Sequence, residues 1–222
     1  MSTAVKERPI LFSAPMVRAI LDGRKTQTRR IVKPQPPGSC RYEINGNQDK
    51  AYCVFDDAGL PGGIGFCPPT ARSKDHLLPC PYGKPGDRLW VRETWQQVTQ
   101  DVATVKPIDV LRDCKQGVCY AADGERCPIT YGQVKLRWRP SIFMRRWASR
   151  ITLEITGVRV ERLQDISEED AIAEGVQCAG VPSSLTNRGA FAKLWESING
   201  PDSWAANPWV WVVEFHKLEA SP

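Results

Sequence analysis

Hydrophobic and polar positions follow different rhythms along this chain, and each rhythm marks a kind of element. Between Ser13 and Gly23 the apolar residues Met16, Val17, Ile20 and Leu21 fall on one helical stripe. Ser13 suits a cap, Pro15 the first turn and Gly23 a stop, so the spacing predicts a helix over 13–23. From Lys25 to Val32 the pattern becomes that of a strand. A second strand is expected over Gly86–Trp95, after a tight turn. The run 151–163 predicts a further strand, or two bent at Gly157, and Trp209–Phe215 the last. Ser167-Glu168-Glu169-Asp170 has the form of a capping box and opens a helix that runs to Gly175. Another helix is expected over about 188–198, stopped by Asn199-Gly200.

Two stretches have no such rhythm. Residues 34–86 are punctuated by Pro and Gly, with one hairpin expected near Cys40–Phe55, and residues 100–133 are irregular. The whole reads as a single domain over 8–222 with insertions at about 34–83 and 97–135. Strands of mixed spacing with a few short helices place it in the α+β class, mainly β: a small, partly open β-barrel with helices at its ends.

Composition narrows this picture. No run approaches the roughly 18 apolar residues of a membrane span, and the N-terminal residues have no apolar signal core. A cytoplasmic location without a membrane partner is therefore expected. Net charge is +5, from 30 Lys and Arg against 25 Asp and Glu. The distribution says more than the sum. Arg24, Lys25, Arg29, Arg30 and Lys33 form one cluster. Lys135, Arg137, Arg139, Arg145, Arg146 and Arg150 form another, interleaved with Trp138, Phe143 and Trp147. Cations mixed with aromatics suit a surface that holds phosphate and stacks bases; an Arg-rich strand pair with its Trp residues packed inward has the same signature. Seven of the eight Cys lie between positions 40 and 127, without a tight C-x-x-C pair. The expectation is no cofactor, with a structural zinc on some of Cys67, Cys80, Cys114, Cys119 and Cys127 as the alternative.

Elimination bounds the chemistry. The two His residues, His76 and His216, belong to no recognisable triad or zinc motif, and neither a P-loop nor a dinucleotide-binding glycine motif occurs. What remains is Lys, Thr and carboxylate chemistry. A desolvated Lys can accept a proton, a nearby Thr can attack, and a carboxylate can serve the leaving amine. Lys25, Thr26 and Thr28 lie close enough in sequence for the first two roles, although a regular strand would turn Lys25 and Thr28 to opposite faces. A solvated basic strand is the other reading of the same residues.

Four blocks extend the pattern: Ile20-Leu21-Asp22-Gly23-Arg24-Lys25-Thr26-Gln27-Thr28-Arg29; Lys84-Pro85-Gly86-Asp87-Arg88-Leu89-Trp90-Val91; Leu163 through Gly175; and Val210-Trp211-Val212-Val213-Glu214-Phe215. In this order they resemble the ASCH family, a branch of the PUA-like β-barrel superfamily. They are most similar to its phage and prophage members, which would place the protein in a bacterial host cell. The resemblance covers under half of the chain. More distantly it reaches amidohydrolases that split N(4)-acetylcytidine into cytidine and acetate, and these are about half as long. It implies Lys25, Thr28 and Glu174 as catalytic residues: Lys25 activates Thr28, Thr28 attacks the amide carbonyl, and Glu174 assists the departing amine. It further implies Arg24, Thr26, Arg29, Arg30, Trp90 and Arg92 as substrate-binding residues. The expected partner is a nucleoside or nucleic acid, RNA rather than DNA. A non-catalytic RNA- or DNA-binding module, or a metal-independent ribonuclease using the same basic cleft, are the alternatives, since fold does not fix function. The oligomeric state is left open.

Overall fold

Strand β10 (Trp209–Lys217) organises the molecule, because its alternate residues feed two separate cores. Trp209, Trp211, Val213 and Phe215 point to one face of a five-stranded sheet, and Val210 and Val212 to the other. Such a strand is buried on both sides, which is why its sequence is a nearly continuous apolar run. Each fully buried Val or Phe in it contributes about 1.5–3 kcal/mol. The computed structural model describes residues 5–35, 40–44, 46–48, 50–55, 78–97, 118–126, 138–176 and 186–219.

The sheet comprises β1 (Glu7–Leu11), β2 (Gln27–Ile31), β6 (Arg88–Arg92), β9 (Thr152–Arg162) and β10, in the order β1-β6-β9-β10-β2. All pairings are antiparallel except β1 with β6. β1 was not foreshadowed by the hydrophobic pattern, since Pro9 breaks its run. As an edge strand it tolerates a residue that cannot donate to a ladder. Helix α1 (Ala14–Leu21) covers one face with Val17 and Ile20. Ser13 sits at its N-cap without a side-chain hydrogen bond, and Gly23 follows its end at φ 74°. Helices α2 (Glu168–Ala173) and α3 (Asn187–Asn199) cover the other face, where Ala171, Phe191 and Trp195 pack on Val210 and Val212. Ser167 caps α2 by accepting from the Asp170 amide at 3.0 Å.

The expected strand over 151–163 is the single strand β9. It pairs with β10 through a register shift opposite Glu214 and Phe215, beside Gly157. The expected hairpin forms as β3 (Cys40–Ile44) and β4 (Lys50–Phe55), joined by β5 (Leu78–Pro79) in a three-stranded sheet. It is part of the body: Ala51, Ile44 and Leu78 pack on the α1-side core, and Gln48 accepts from the Val158 amide at 2.9 Å. The second irregular region contributes β8 (Val118–Tyr120), which pairs with β7 (Trp95–Gln97) at the end of the strand expected over Gly86–Trp95. Residues 138–150 are not a strand pair with inward Trp residues. They form two 3-10 turns, Ser141–Phe143 and Arg146–Ala148, and leave Trp138 and Trp147 exposed.

The class is thus the expected one, mostly strands with few helices. Among the described residues the main sheet is open, with β1 and β2 as its edges. Arg30 of β2 reaches across to donate to the Leu11 carbonyl of β1 at 2.7 Å.

Candidate functional site

The turn after α1 delivers Lys25 to the interior. Gly23 adopts a left-handed conformation, and the amides of Arg24 and Lys25 both bond to the Ala19 carbonyl. On the opposite side α2 ends at Ala173, Glu174 is its C-cap, and Gly175 turns the chain at φ 89°. An added Cβ on Gly175 would stand 2.9 Å from Ala19 Cβ and 3.1 Å from Lys25 Cβ. The missing side chain therefore lets the two turns touch, and the Thr26 amide bonds to Ala173 at 2.8 Å across them.

Lys25 Nζ ends in a fully occupied pocket. It donates to Glu174 Oε2 at 2.7 Å, to the Glu174 carbonyl at 2.9 Å and to the Gln27 carbonyl at 2.8 Å. These use all three of its donors. Burial drives the Lys25 pKa down, and the Glu174 carboxylate opposes this without reversing it.

Arg29 binds the same carboxylate from the other side, at 3.3 Å to Glu174 Oε1. It also reaches Glu161 and, at 2.8 Å, Asp170. Arg159 joins Glu161 and Asp170, each at 3.0 Å, and contacts Glu214. Gln27 closes the set with 2.8 and 3.0 Å bonds to the Asp170 carbonyl and side chain. Burial raises the Asp170 pKa, but Gln27, Arg29 and Arg159 together outweigh it and leave it lowered.

The register explains why these charges gather. Thr28 pairs with Val213 and Arg30 with Trp211, so both side chains face α1. Gln27 and Arg29 take the α2 face, beside Arg159 and Glu161 of β9. The Phe215 amide donates to Thr26 at 2.8 Å and the Val32 amide to Trp209 at 3.0 Å. Hydrogen-bonded pairs therefore fall on the even residues of β2. The peptide groups of Gln27, Arg29 and Ile31 point the other way, to the free edge.

A cavity of about 600 Å³ runs along that edge, a size suited to a small-molecule ligand. Thr28 and Glu174 line it together with Arg29 and Arg30, Tyr82 faces it from the segment after β5, and Trp195 and Trp211 supply aromatic walls. The structure thus brings Thr28 and Glu174 to one cavity and ties Lys25 to Glu174 just outside the lining. Arg29 and Arg30 also join it. Arg24 instead binds Asp22 at 2.8 Å and the Gly175 carbonyl at 3.3 Å, and Thr26 is exposed; neither lines the cavity. Trp90 and Arg92 lie on β6, stacked on each other at 4.6 Å, and are not among the lining residues. Tyr82, Trp195 and Lys33 were not singled out as site residues by the sequence. Lys33 belongs to the basic cluster seen in the sequence, whereas Tyr82 and Trp195 lie 49 and 162 residues beyond it and are collected only by the fold.

Of the possible zinc ligands, Cys80 and Cys119 are buried, and Cys67, Cys114 and Cys127 lie outside the described residues. Among the described residues no group of three His, Cys, Asp or Glu side chains could hold a metal. Likewise, among them no helix is long and apolar enough to cross a membrane. The chain matches no protein-family model, and no curated protein or solved structure is significantly similar to it.

Proposed function

We propose that this protein is a hydrolase of an N-acylated pyrimidine nucleoside, of the N(4)-acylcytidine type, and that its sheet belongs to the small-barrel architecture of the ASCH and PUA-like proteins. The observation that carries the activity is the meeting of Thr28 and Glu174 at one nucleoside-sized cavity, with Lys25 bonded to Glu174 just behind its lining although the two are 149 residues apart in sequence. The barrel reading draws on the Arg30 to Leu11 link between the two sheet edges. In this reaction Thr28 Oγ adds to the acyl carbonyl, the C–N bond to the cytosine amine breaks, and water releases the acyl group from Thr28. Lys25, whose charged form burial disfavours, accepts the Thr28 proton after passing one of its own along the 2.7 Å bond to Glu174 Oε2. Glu174, 2.7 Å from Nζ, is the carboxylate that relays the proton to the leaving amine. Arg30 and the aromatic walls hold the substrate.

Incubation with N(4)-acetylcytidine and chromatography should show cytidine and acetate with wild type and with Thr28→Ser, and none with Thr28→Ala. Intact substrate with wild type, or full turnover by Thr28→Ala, removes the reading.

One observation favours binding to nucleic acid as a second reading. Ile142, Phe143 and Trp147 are 58, 68 and 46% exposed, beside the exposed Arg139, Arg145 and Arg146. Stacking surfaces for single strands have this make-up. Binding of an oligonucleotide that weakens steeply with salt and with Trp147→Ala supports it, and salt-insensitive binding counts against it.

A further inference from the structure

The charges around the cavity are unevenly matched. Three cations line it, Arg29, Arg30 and Lys33, against the single carboxylate of Glu174. Arg29 is already neutralised by Glu161, Asp170 and Glu174. Arg30 and Lys33 are in a different position: among the described residues no carboxylate pairs with either. The Arg30 guanidinium is nevertheless fixed. It donates to the Leu11 carbonyl, lies 5.5 Å from the Phe12 ring, and its Nε is buried without a hydrogen-bond partner. An oriented guanidinium that no described carboxylate neutralises, sharing a cavity with an exposed ammonium, is a recognition element for an oxyanion. Tyr82 lines the same cavity, and the peptide groups of Arg29 and Ile31, two further lining residues, point to the free strand edge. An uncharged nucleoside would leave this excess charge unused.

We infer that Arg30 and Lys33 form a phosphate subsite at the rim of the cavity, so that a phosphorylated pyrimidine, a nucleotide or a nucleotide unit of a polymer, is held more tightly than the free nucleoside. This rests on reading the cavity as the substrate site. The aromatic walls take the base, and the cationic rim takes the phosphate that the sugar carries.

Calorimetric titration of the full chain with cytidine, cytidine 5′-monophosphate and a short oligocytidylate tests it. The monophosphate should bind about tenfold or more tightly than cytidine, the scale of one charge-assisted hydrogen bond. Lys33→Gln and Arg30→Gln should each shrink that margin several-fold. Lys33 is exposed, so its variant keeps the test sound if Arg30→Gln, which also releases Leu11, folds poorly. A monophosphate that binds no better than cytidine, or not at all, overturns the subsite, as does an undiminished margin in Lys33→Gln. If the oligonucleotide outbinds the monophosphate with the same Lys33 dependence, the phosphate comes from a polymer; the reverse order assigns it to a mononucleotide. Intact N(4)-acetylcytidine together with a preserved margin sinks the hydrolase alone. Hydrolysis without any margin sinks the phosphate subsite alone.

Discussion

Replacing Lys25 by Met tests whether the Lys25–Glu174 pair is as deeply committed as its geometry implies. Lys25 is 2% and Glu174 4% exposed, so water cannot repair the loss of either partner. Met fills similar space but leaves Glu174 Oε2 and two carbonyls without their donor. Removing one member of a buried pair costs about 3–5 kcal/mol. Because Arg29 still holds Glu174 Oε1 at 3.3 Å, the lower end applies, about 3 kcal/mol. Glu174→Gln should cost less, since an amide oxygen can still accept from Nζ. The double variant Lys25→Met/Glu174→Gln should then lose less than the sum of the two, by at least about 1 kcal/mol, as contacting residues couple. Urea unfolding followed by fluorescence of the eight Trp residues gives all four free energies, provided the slopes agree. A loss below about 1 kcal/mol for Lys25→Met, typical of an ordinary surface change, or strict additivity would refute the reasoning.

Gly175→Ala should destabilise by about 2–4 kcal/mol, combining a left-handed backbone with a methyl group forced against Ala19 and Lys25; a urea midpoint equal to wild type would contradict it. Asp170 makes a prediction in acid. Its folded pKa is lowered, so its contribution is present above the unfolded value near 3.9 and is lost as pH falls through the lower folded value. Asp170→Asn should therefore lower stability at neutral pH and flatten its fall below about pH 4. Thermal melts across that range check this, and an acid limb as steep as wild type would exclude Asp170 as a cause.

What could be read in advance was what local chemistry dictates. The Pro15 and Gly23 bracket around α1, the capping Ser167, and the unbroken apolar run of β10 each depend on neighbours a few residues away. β1 escaped because Pro9 hides a strand whose partner, β6, lies some 80 residues on. The turns at 138–150 escaped because alternating Arg and Trp residues satisfy a strand pattern and an exposed turn equally well. Arg29 shows the deeper limit. Its sequence neighbourhood is basic and suggests a ligand contact, yet Glu161, Asp170 and Glu174, more than 130 residues away, occupy it from three directions. Arg30, its immediate neighbour, faces the other side of the strand and meets no carboxylate among the described residues. One step of strand pleat separates a structural cation from an available one.

The charge ladder on the α2 side also acts as a proofreader of strand alignment. A slip of β2 by one residue against β10 would turn Arg29 to the face of Trp211 and Val213 and set Arg30 or Thr28 opposite Val212 in its place. Edge strands are where sliding and mispairing ordinarily begin. Here a misaligned strand would break the bonds that Gln27 and Arg29 make to Asp170, Glu161 and Glu174, so the wrong pairing is penalised as soon as it forms. The accuracy with which Thr28 is presented is thus inherited from residues on the opposite side of the sheet.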